Sequence, residues 1–259
     1  MADHRFDRPQ CRFRWAGGLA VGVHTTQFAI HDPRVGLYRP VLELASETAR
    51  ASEPDAILVA GLVGDTEQAL REAEIALSLG YSCGLLSLSA FRGTGLDAIL
   101  AHCERVAEAI PLFGFYLQPA VGGRVLPYAF WRRFCEIERV LAIKIAPFDR
   151  YKTLDVTRAV ADSERGPGSR HEIALYTGND DHIVLDLVIP LVARRGREDV
   201  TVRMRGGLLG HWSVWTRRAV GLFARVRRAV AEGTVDDAIL ALDARVTAMN
   251  AALFLQFFR

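Results

Sequence analysis

The chain has 259 residues, of which 50% are hydrophobic and 24% are charged. This length allows one large domain or two small ones, and the composition excludes a disordered protein. The 32 basic and 30 acidic residues give a net charge of +2, too small for a global field that would hold nucleic acid or an anionic membrane. The function must therefore reside in a local site.

No apolar run reaches the roughly 18 residues that a membrane span needs, and residues 1–14 lack the apolar stretch of a signal peptide. We therefore expect a cytoplasmic protein. Its four cysteines lie far apart, which predicts reduced and mostly buried thiols instead of a zinc site or a disulfide framework. They are Cys11, Cys83, Cys103 and Cys135.

Short apolar runs alternate with longer segments of helical period along most of the chain. The runs are nearly all apolar, as in parallel strands that are covered on both faces. Strands are predicted over residues 18–23, 56–61, 83–88, 112–117, 140–145, 172–177 and 201–209. Helices are predicted between them, for example over 65–79 and 96–110, and two more follow over about 213–232 and 235–258.

Seven consecutive βα units fit either an open doubly wound sheet or a (β/α)8 barrel with one unit unseen. The glycines of residues 17–22 lie before and within the first strand, so the glycine-rich turn of a dinucleotide-binding sheet is absent. We therefore predict an α/β protein with a TIM-type barrel over residues 1–212, its first βα unit missing or degenerate. A C-terminal helical extension over residues 213–259 is expected to pack on it.

Lys144 is the most informative residue for chemistry. Only Lys144 and Lys152 are lysines among the 32 basic residues, and Lys144 lies within the fifth predicted strand. Burial disfavours the ammonium, lowers its pKa from about 10.4 and frees the amine as a nucleophile, as Schiff-base chemistry requires. The alternative is a structural lysine whose head reaches water or a carboxylate at the strand end.

Tyr116 ends the strand that precedes the Lys144 strand. Neighbouring parallel strands lie roughly 4.8 Å apart, so the two strand ends are predicted to present a phenol and an amine to one pocket. A phenol in that place can relay protons. The alternative is a tyrosine packed in the barrel with its hydroxyl group hydrogen-bonded.

Two motifs occur together around these residues. Tyr116-Leu117-Gln118-Pro119 is followed by Gly122, Gly123 and Leu126, and Ala142-Ile143-Lys144 comes later. They resemble the Tyr-Asn-x-Pro segment and the Gly-x-Lys strand of the dihydrodipicolinate synthase and N-acetylneuraminate lyase family of class I aldolases. Weaker matches run in family order over about residues 17–250: Val23-His24-Thr25-Thr26, Gly178-Asn179-Asp180-Asp181 and Gly206-Gly207-Leu208-Leu209.

The resemblance implies a lyase in which Lys144 forms an imine with a 2-oxo acid, usually pyruvate, and Tyr116 shuttles protons. It implies no cofactor beyond this imine, and a second substrate or product that is an aldehyde. Thr25 and Thr26 would bind the keto-acid carboxylate, and adjacent hydroxyl and amide groups at a strand end suit an anion. The other residues expected to bind substrate are Gly178, Asn179, Gly207 and Leu209.

Five positions depart from the family pattern and favour a different substrate. His24, Gln27 and Phe28 replace Gly, Gly and Glu, Phe91 stands where the synthases have a tyrosine, and Ile145 replaces an acidic residue. The alternative function is a catalytically inactive barrel that binds an acidic metabolite or a partner protein.

Four other features are interpreted without a catalytic role. His24 and His31 lack the neighbouring ligand pattern of a metal site, so no metal is predicted. The arginines of 194–197 and 225–228 are expected on solvated helix faces, not on nucleic acid. Trp212 and Trp215 are expected at the barrel rim or at the substrate mouth.

The chain ends in an apolar stripe of Leu253, Phe254, Phe257 and Phe258. Such a stripe needs a covering surface, as do the strand edges of a barrel that lacks one unit. We therefore expect a homo-oligomer, a homodimer or a homotetramer.

Overall fold

A computed structural model of the chain describes residues 17–23, 25–208, 210–213 and 215–257. For residues 25–27, 212–213 and 254–257 it describes the backbone alone. The predictions made for Cys11, His24, Leu209, Phe258 and the side chains of Thr25 and Thr26 therefore lie outside the described part.

Seven parallel strands form the central sheet in the order β1-β2-β3-β4-β5-β6-β9. Within the described ranges, β1 and β9 are the two edge strands. The strands are β1 (Gly18–Val21), β2 (Ile57–Leu62), β3 (Cys83–Leu86), β4 (Leu112–Leu117), β5 (Val140–Ala146), β6 (Ala174–Thr177) and β9 (Met204–Gly207).

Helices connect these strands and continue beyond the last one. They are α1 (Tyr38–Ser52), α2 (Thr66–Ser78), α3 (Leu96–Ala109), α4 (Tyr128–Phe134), α5 (Arg150–Ala161), α6 (Ile183–Val188), α7 (Thr216–Glu232) and α8 (Asp237–Phe257). None of these helices, over its described residues, has the length and apolar character of a membrane span.

The apolar core has two layers because successive side chains of a strand point to opposite faces. In β4, Phe113 and Phe115 belong to an inner cluster, whereas Leu112 and Tyr116 join the outer cluster between sheet and helices. The sheet curls, since the rings of Phe113 and Tyr176, two strands apart, lie 5.2 Å from each other. The predicted α/β barrel of seven βα units with C-terminal helices is thus confirmed.

A β-hairpin that the sequence analysis missed precedes the last parallel strand. It consists of β7 (Leu191–Arg195) and β8 (Glu198–Val202), and Arg194 and Arg195 lie opposite Asp199 and Glu198. The prediction of one strand over 201–209 was therefore wrong, as was the helix face assigned to 194–197. Charges of opposite sign face each other across the strands, and Gly196 has a φ of +63°, which a tight turn can use.

The described cysteines behave as predicted. Cys83, Cys103 and Cys135 are buried free thiols. Burial raises the pKa of Cys83 and of Cys135 to about 12, so these thiols are poor nucleophiles at neutral pH.

A buried hydrogen-bond cluster holds the end of β1 against α2. His31 Nδ1 lies 3.0 Å from Glu72 Oε1, and His31 Nε2 lies 2.9 Å from the carbonyl oxygen of Gly22. Glu72 Oε1 also accepts from Gln68 Nε2 at 3.0 Å, and Glu72 Oε2 accepts from the backbone N–H of Val63 at 2.9 Å. Both ring nitrogens of His31 and both carboxylate oxygens of Glu72 are thereby occupied by structural contacts.

We expect Glu72→Gln to lower the free energy of unfolding by about 2 kcal/mol, since the amide nitrogen of the new side chain would meet either Gln68 Nε2 or the backbone N–H of Val63 and leave that donor without its acceptor. Urea denaturation monitored by circular dichroism measures this loss. Glu74→Gln, on the exposed face of the same helix, is the control and should stay within about 0.5 kcal/mol of the parent. Equal midpoints for both variants would show that the folded protein does not need the carboxylate of Glu72.

Candidate active site

Lys144 lies on the inner face of the barrel near the carboxyl end of β5. In the strand register it stands between Phe115 of β4 and Tyr176 of β6, and its Nζ lies 4.4 Å from the centroid of the Phe115 ring. The residue is only 6% exposed. No hydrogen bond or ion pair joins its ammonium group to another described residue.

Burial lowers the pKa of Lys144 to about 8, and the charge of Asp180 opposes this change. A lysine with this pKa carries a sizeable fraction of neutral amine near neutral pH. The structure agrees with the predicted burial of this lysine within the fifth strand.

Asp180 is the carboxyl group whose charge acts on Lys144, and the sequence analysis did not assign it a role. It lies in the loop after β6, where burial raises its pKa to about 6 while the charge of Lys144 and a hydrogen bond from the backbone N–H of His211 lower it. The available signal was a carboxyl group two residues after Gly178, in the loop that follows the strand next to the lysine.

Gly178 brings this loop against Lys144. Its backbone N–H donates to the carbonyl oxygen of Ile145 at 2.7 Å. A Cβ atom at position 178 would lie 2.7 Å from Cβ of Ala146 and 2.9 Å from Cε of Lys144, distances that real Cβ atoms do not reach. Glycine at this position thus allows the loop to lie directly beside the amine.

Replacing Gly178 with Ala should displace the Lys144 side chain and reduce any reaction of its amine by about tenfold, since one ångström of misplacement is costly in a site. The measurement is the rate at which the amine is trapped by a 2-oxo acid and borohydride. Gly221→Ala is the matched control, because a Cβ at that helical, exposed position meets no atom within 4 Å. An unchanged rate in Gly178→Ala would contradict the contact.

Asn179 is occupied by a buried network that fixes the same loop. Its Nδ2 donates to Asp186 Oδ2 at 3.1 Å, and Thr177 Oγ1 donates to the same oxygen at 2.5 Å. The other carboxylate oxygen accepts from Arg150 Nη1 at 2.6 Å. Asn179 Oδ1 accepts from the backbone N–H of Phe148, which has a positive φ of 53°. The amide therefore holds the backbone of this loop, and its contact with substrate stays a prediction.

The structure does not bring Tyr116 to Lys144, contrary to the prediction of one shared pocket. Lys144 lies opposite Phe115, so the alternation of β4 turns Tyr116 outward into the helix layer. Its ring lies 5.2 Å from that of Trp131, and its hydroxyl oxygen accepts from the backbone N–H of Leu126 at 3.2 Å. Burial raises the pKa of this phenol. The alternative reading, a packed tyrosine with its hydroxyl group hydrogen-bonded, matches this geometry.

The remaining predicted site residues are only partly described. Thr25 and Thr26 begin a 3-10 helix, Thr25–His31, directly after β1. Gly207 of β9 lies opposite Thr177 of β6, so it borders the strand that leads to Gly178. Leu209 is outside the described residues.

Three other positions from the sequence analysis have clear surroundings. Phe91 packs against His102, with ring centroids 4.4 Å apart. Ile145 belongs to the outer cluster, so the position that is acidic in the family faces away from Lys144. Trp215 is 60% exposed. No group of three His, Cys, Asp or Glu side chains in the described ranges could hold a metal ion.

The arrangement defines a (β/α) barrel with a buried lysine on its inner face. Solved structures of the same fold are dihydrodipicolinate synthases and an N-acetylneuraminate lyase, which confirms the predicted resemblance at the level of the fold. No family model matches the sequence, and no curated protein matches it either.

Three of these structures illustrate the likeness. The chloride-inhibited dihydrodipicolinate synthase from Acinetobacter baumannii, complexed with pyruvate, has a TM-score of 0.66 and 20% identity over 92% of this chain and 71% of its own. The synthase from Bacteroides thetaiotaomicron has a TM-score of 0.67 and 15% identity over 90% and 69%. CdNal from Clostridium difficile, in complex with mannosamine, has a TM-score of 0.66 and 15% identity over 97% and 73%.

Proposed function

We propose that this protein is a class I lyase or aldolase that binds a 2-oxo acid such as pyruvate as an imine on Lys144. The observation that carries the proposal is a buried amine, on the inner face of the barrel, whose pKa is lowered to about 8. Roughly a tenth of such an amine is neutral at pH 7, against less than one part in a thousand for an ordinary lysine. The neutral nitrogen attacks the keto carbon, and the carbonyl oxygen leaves as water when the imine forms.

Asp180 is the group that we assign to proton transfer in this reaction. The loss of water from the carbinolamine requires an acid near the nitrogen, and a carboxyl group with a pKa of about 6 can donate and recover a proton at neutral pH. It replaces Tyr116 in this role, because the Tyr116 hydroxyl group lies on the outer side of the sheet. The carboxylate of the keto acid is assigned to Thr25 and Thr26, and Gly178, Gly207 and Leu209 are proposed as further substrate-binding residues.

Borohydride reduction in the presence of pyruvate, followed by peptide mass spectrometry, tests the imine. We expect a single pyruvate-derived adduct on the peptide that contains Lys144. The absence of an adduct with every member of a panel of 2-oxo acids would overturn the proposal.

A second candidate is a barrel that binds an acidic metabolite without reaction, and the outward position of Tyr116 favours it. Thermal stabilisation by a 2-oxo acid without an adduct would identify this candidate.

The assembly is proposed to be a homodimer or homotetramer, because β1 and β9 are edge strands within the described chain. Light scattering at low protein concentration distinguishes these states from a monomer.

A further inference from the structure

Phe148 is one of two residues other than glycine that have a positive φ within the described ranges, and the other is Trp215. Its φ of 53° lies in the left-handed region, where a Cβ atom crowds the following carbonyl oxygen and which glycine adopts most readily. Side chains in such conformations concentrate at functional sites, where the surrounding structure holds them. The ring of Phe148 must therefore serve the molecule in a way that glycine could not.

The surroundings of Phe148 fix this backbone conformation on both sides. The backbone N–H of Phe148 donates to Asn179 Oδ1 at 3.1 Å, and the same amide donates to Asp186 at 3.1 Å. The next residue, Asp149, caps α5 by accepting from the backbone N–H of Tyr151 at 2.9 Å. The ring is thus presented from a firmly held loop.

The ring of Phe148 lies at the carboxyl end of the barrel, in the loop between β5 and α5. Alternate residues of β5 face the inside of the barrel, with Ala142 and Ala146 in the inner cluster and Lys144 between them. Phe148 continues this alternation beyond the strand and packs, half-buried, against the same cluster. It therefore covers the inner face beyond the lysine, at the end of the barrel from which reactants enter.

Three other loops at this end of the barrel supply half-buried apolar residues that pack against the inner cluster. They are Phe28 after β1, Val121 after β4 and Leu208 after β9. We call these three residues and Phe148 the apolar collar. The collar shields the inner face from water, in agreement with the 6% exposure of Lys144. Phe148 is the member of the collar that follows the strand of the lysine.

We propose that Phe148 is a specificity-determining residue, whose ring restricts the Lys144 amine to carbonyl compounds with a short chain beside the carbonyl carbon. The inference rests on the proposed imine and defines the size of the 2-oxo acid: the methyl group of pyruvate is admitted, and an aryl or long alkyl group is not. The rings of Phe113 and Phe115 fill the barrel around the amine, and the Phe115 centroid lies 4.4 Å from Nζ. A longer chain would have to extend toward the collar, where the Phe148 ring occupies the space.

Two pairs of carbonyl compounds that differ by one phenyl group test this assignment. Phenylpyruvate is pyruvate with a phenyl group on C3, and phenylacetaldehyde is acetaldehyde with the same addition. The neutral amine attacks the carbonyl carbon, water leaves, and cyanoborohydride reduces the imine to a stable secondary amine. Mass spectrometry after trypsin digestion measures the adduct of Lys144 on residues 140–150. The adduct of Lys152 on residues 151–158 is the internal reference.

In the parent protein, the Lys144 adduct with each phenyl compound should be at least about tenfold lower than with its smaller counterpart, after normalisation to Lys152. Phe148→Gly should raise this ratio at least about tenfold for both pairs. Phe148→Leu, which keeps a smaller apolar side chain, should raise it less. Trp215→Gly is the matched control, because it removes a 60% exposed ring from the same backbone conformation and should leave the ratio unchanged.

A parent ratio near one, or a ratio that Phe148→Gly leaves unchanged, would overturn the assignment of Phe148. An equal rise in Trp215→Gly would do the same, since relief of backbone strain would then be the cause. Thermal midpoints show whether each variant is folded, and glycine suits a φ of 53°.

The two pairs of compounds also separate this inference from the proposed function. If neither 2-oxo acid forms an adduct while the aldehyde ratio still depends on Phe148, the proposed imine fails and the size limit stands. If pyruvate forms its adduct on Lys144 and neither ratio depends on Phe148, the imine stands and the size limit fails.

Discussion

Replacing Lys144 with Met should abolish borohydride trapping of pyruvate, with the adduct falling at least about a thousandfold to background. A thioether has no nucleophilic nitrogen, so the loss follows directly from the proposed chemistry. The other lysine of the chain offers a matched control: Lys152→Met removes an ion pair with Asp149 at the start of α5 and should trap pyruvate as the parent does. An adduct that persists in Lys144→Met would place the imine elsewhere.

The same substitution has a second expected result, on stability. Moving the pKa of Lys144 from 10.5 to about 8 corresponds to about 3 kcal/mol. Below pH 8 both folded and unfolded chains hold the proton, and the folded state bears the cost of a buried charge. Between pH 8 and 10.5 the unfolded state binds more protons, so stability rises with pH. Lys144→Met should lack this rise, whereas Lys152→Met should keep it.

Denaturation at pH 7.5 and pH 10 measures the difference between the two variants. Other groups titrate in this range, and they do so equally in both proteins. A rise of the same size in Lys144→Met would contradict the lowered pKa of the lysine.

The strand pattern could be predicted because the first six barrel strands, β1 to β6, are nearly all apolar. Leu112–Leu117 in β4 is buried at every position. The same continuity hid the orientation of Tyr116: a run that is apolar on both faces does not reveal which residues point inward. One step of register decides whether a tyrosine faces the lysine or the helices.

The hairpin of β7 and β8 was missed for a different reason. Its strands carry charged residues in sequence, and clustered arginines are more typical of an exposed helix. Only the partner strand reveals that Arg194 lies opposite Asp199. A local sequence pattern does not show which residues of two strands lie opposite each other in a sheet.

Within the candidate site, Lys144 could be predicted from the sequence, whereas the role of Asp180 could not. Lys144 stood out because it is a rare residue type in a buried strand. Asp180 did not, because a carboxyl group in a loop is ordinary until the fold places it beside the amine. Its contacts come from the distant α8, which no local spacing could have indicated.

Asn250 of α8 links the two loops that hold Asp180. It is 6% exposed, its Nδ2 donates to the carbonyl oxygen of Asp180 at 2.8 Å, and its Oδ1 accepts from His211 Nδ1 at 3.0 Å. The backbone N–H of His211 donates to the Asp180 carboxylate. Asn250 is therefore a positioning residue for the acid whose charge acts on Lys144.

We expect Asn250→Ala to lower the maximum rate of pyruvate trapping by about tenfold and to change its pH profile. In the parent the rate should rise with a midpoint near pH 8, because the neutral amine reacts. When Asp180 moves away, the negative charge that raises the pKa of Lys144 is weakened, so the midpoint should shift to lower pH. Thr247→Val, which removes a hydrogen bond of 3.0 Å from the same helix to the carbonyl oxygen of Asp181, should leave the midpoint unchanged. A slower reaction with an unshifted midpoint in Asn250→Ala would mean that the helix supports the fold and does not position the acid.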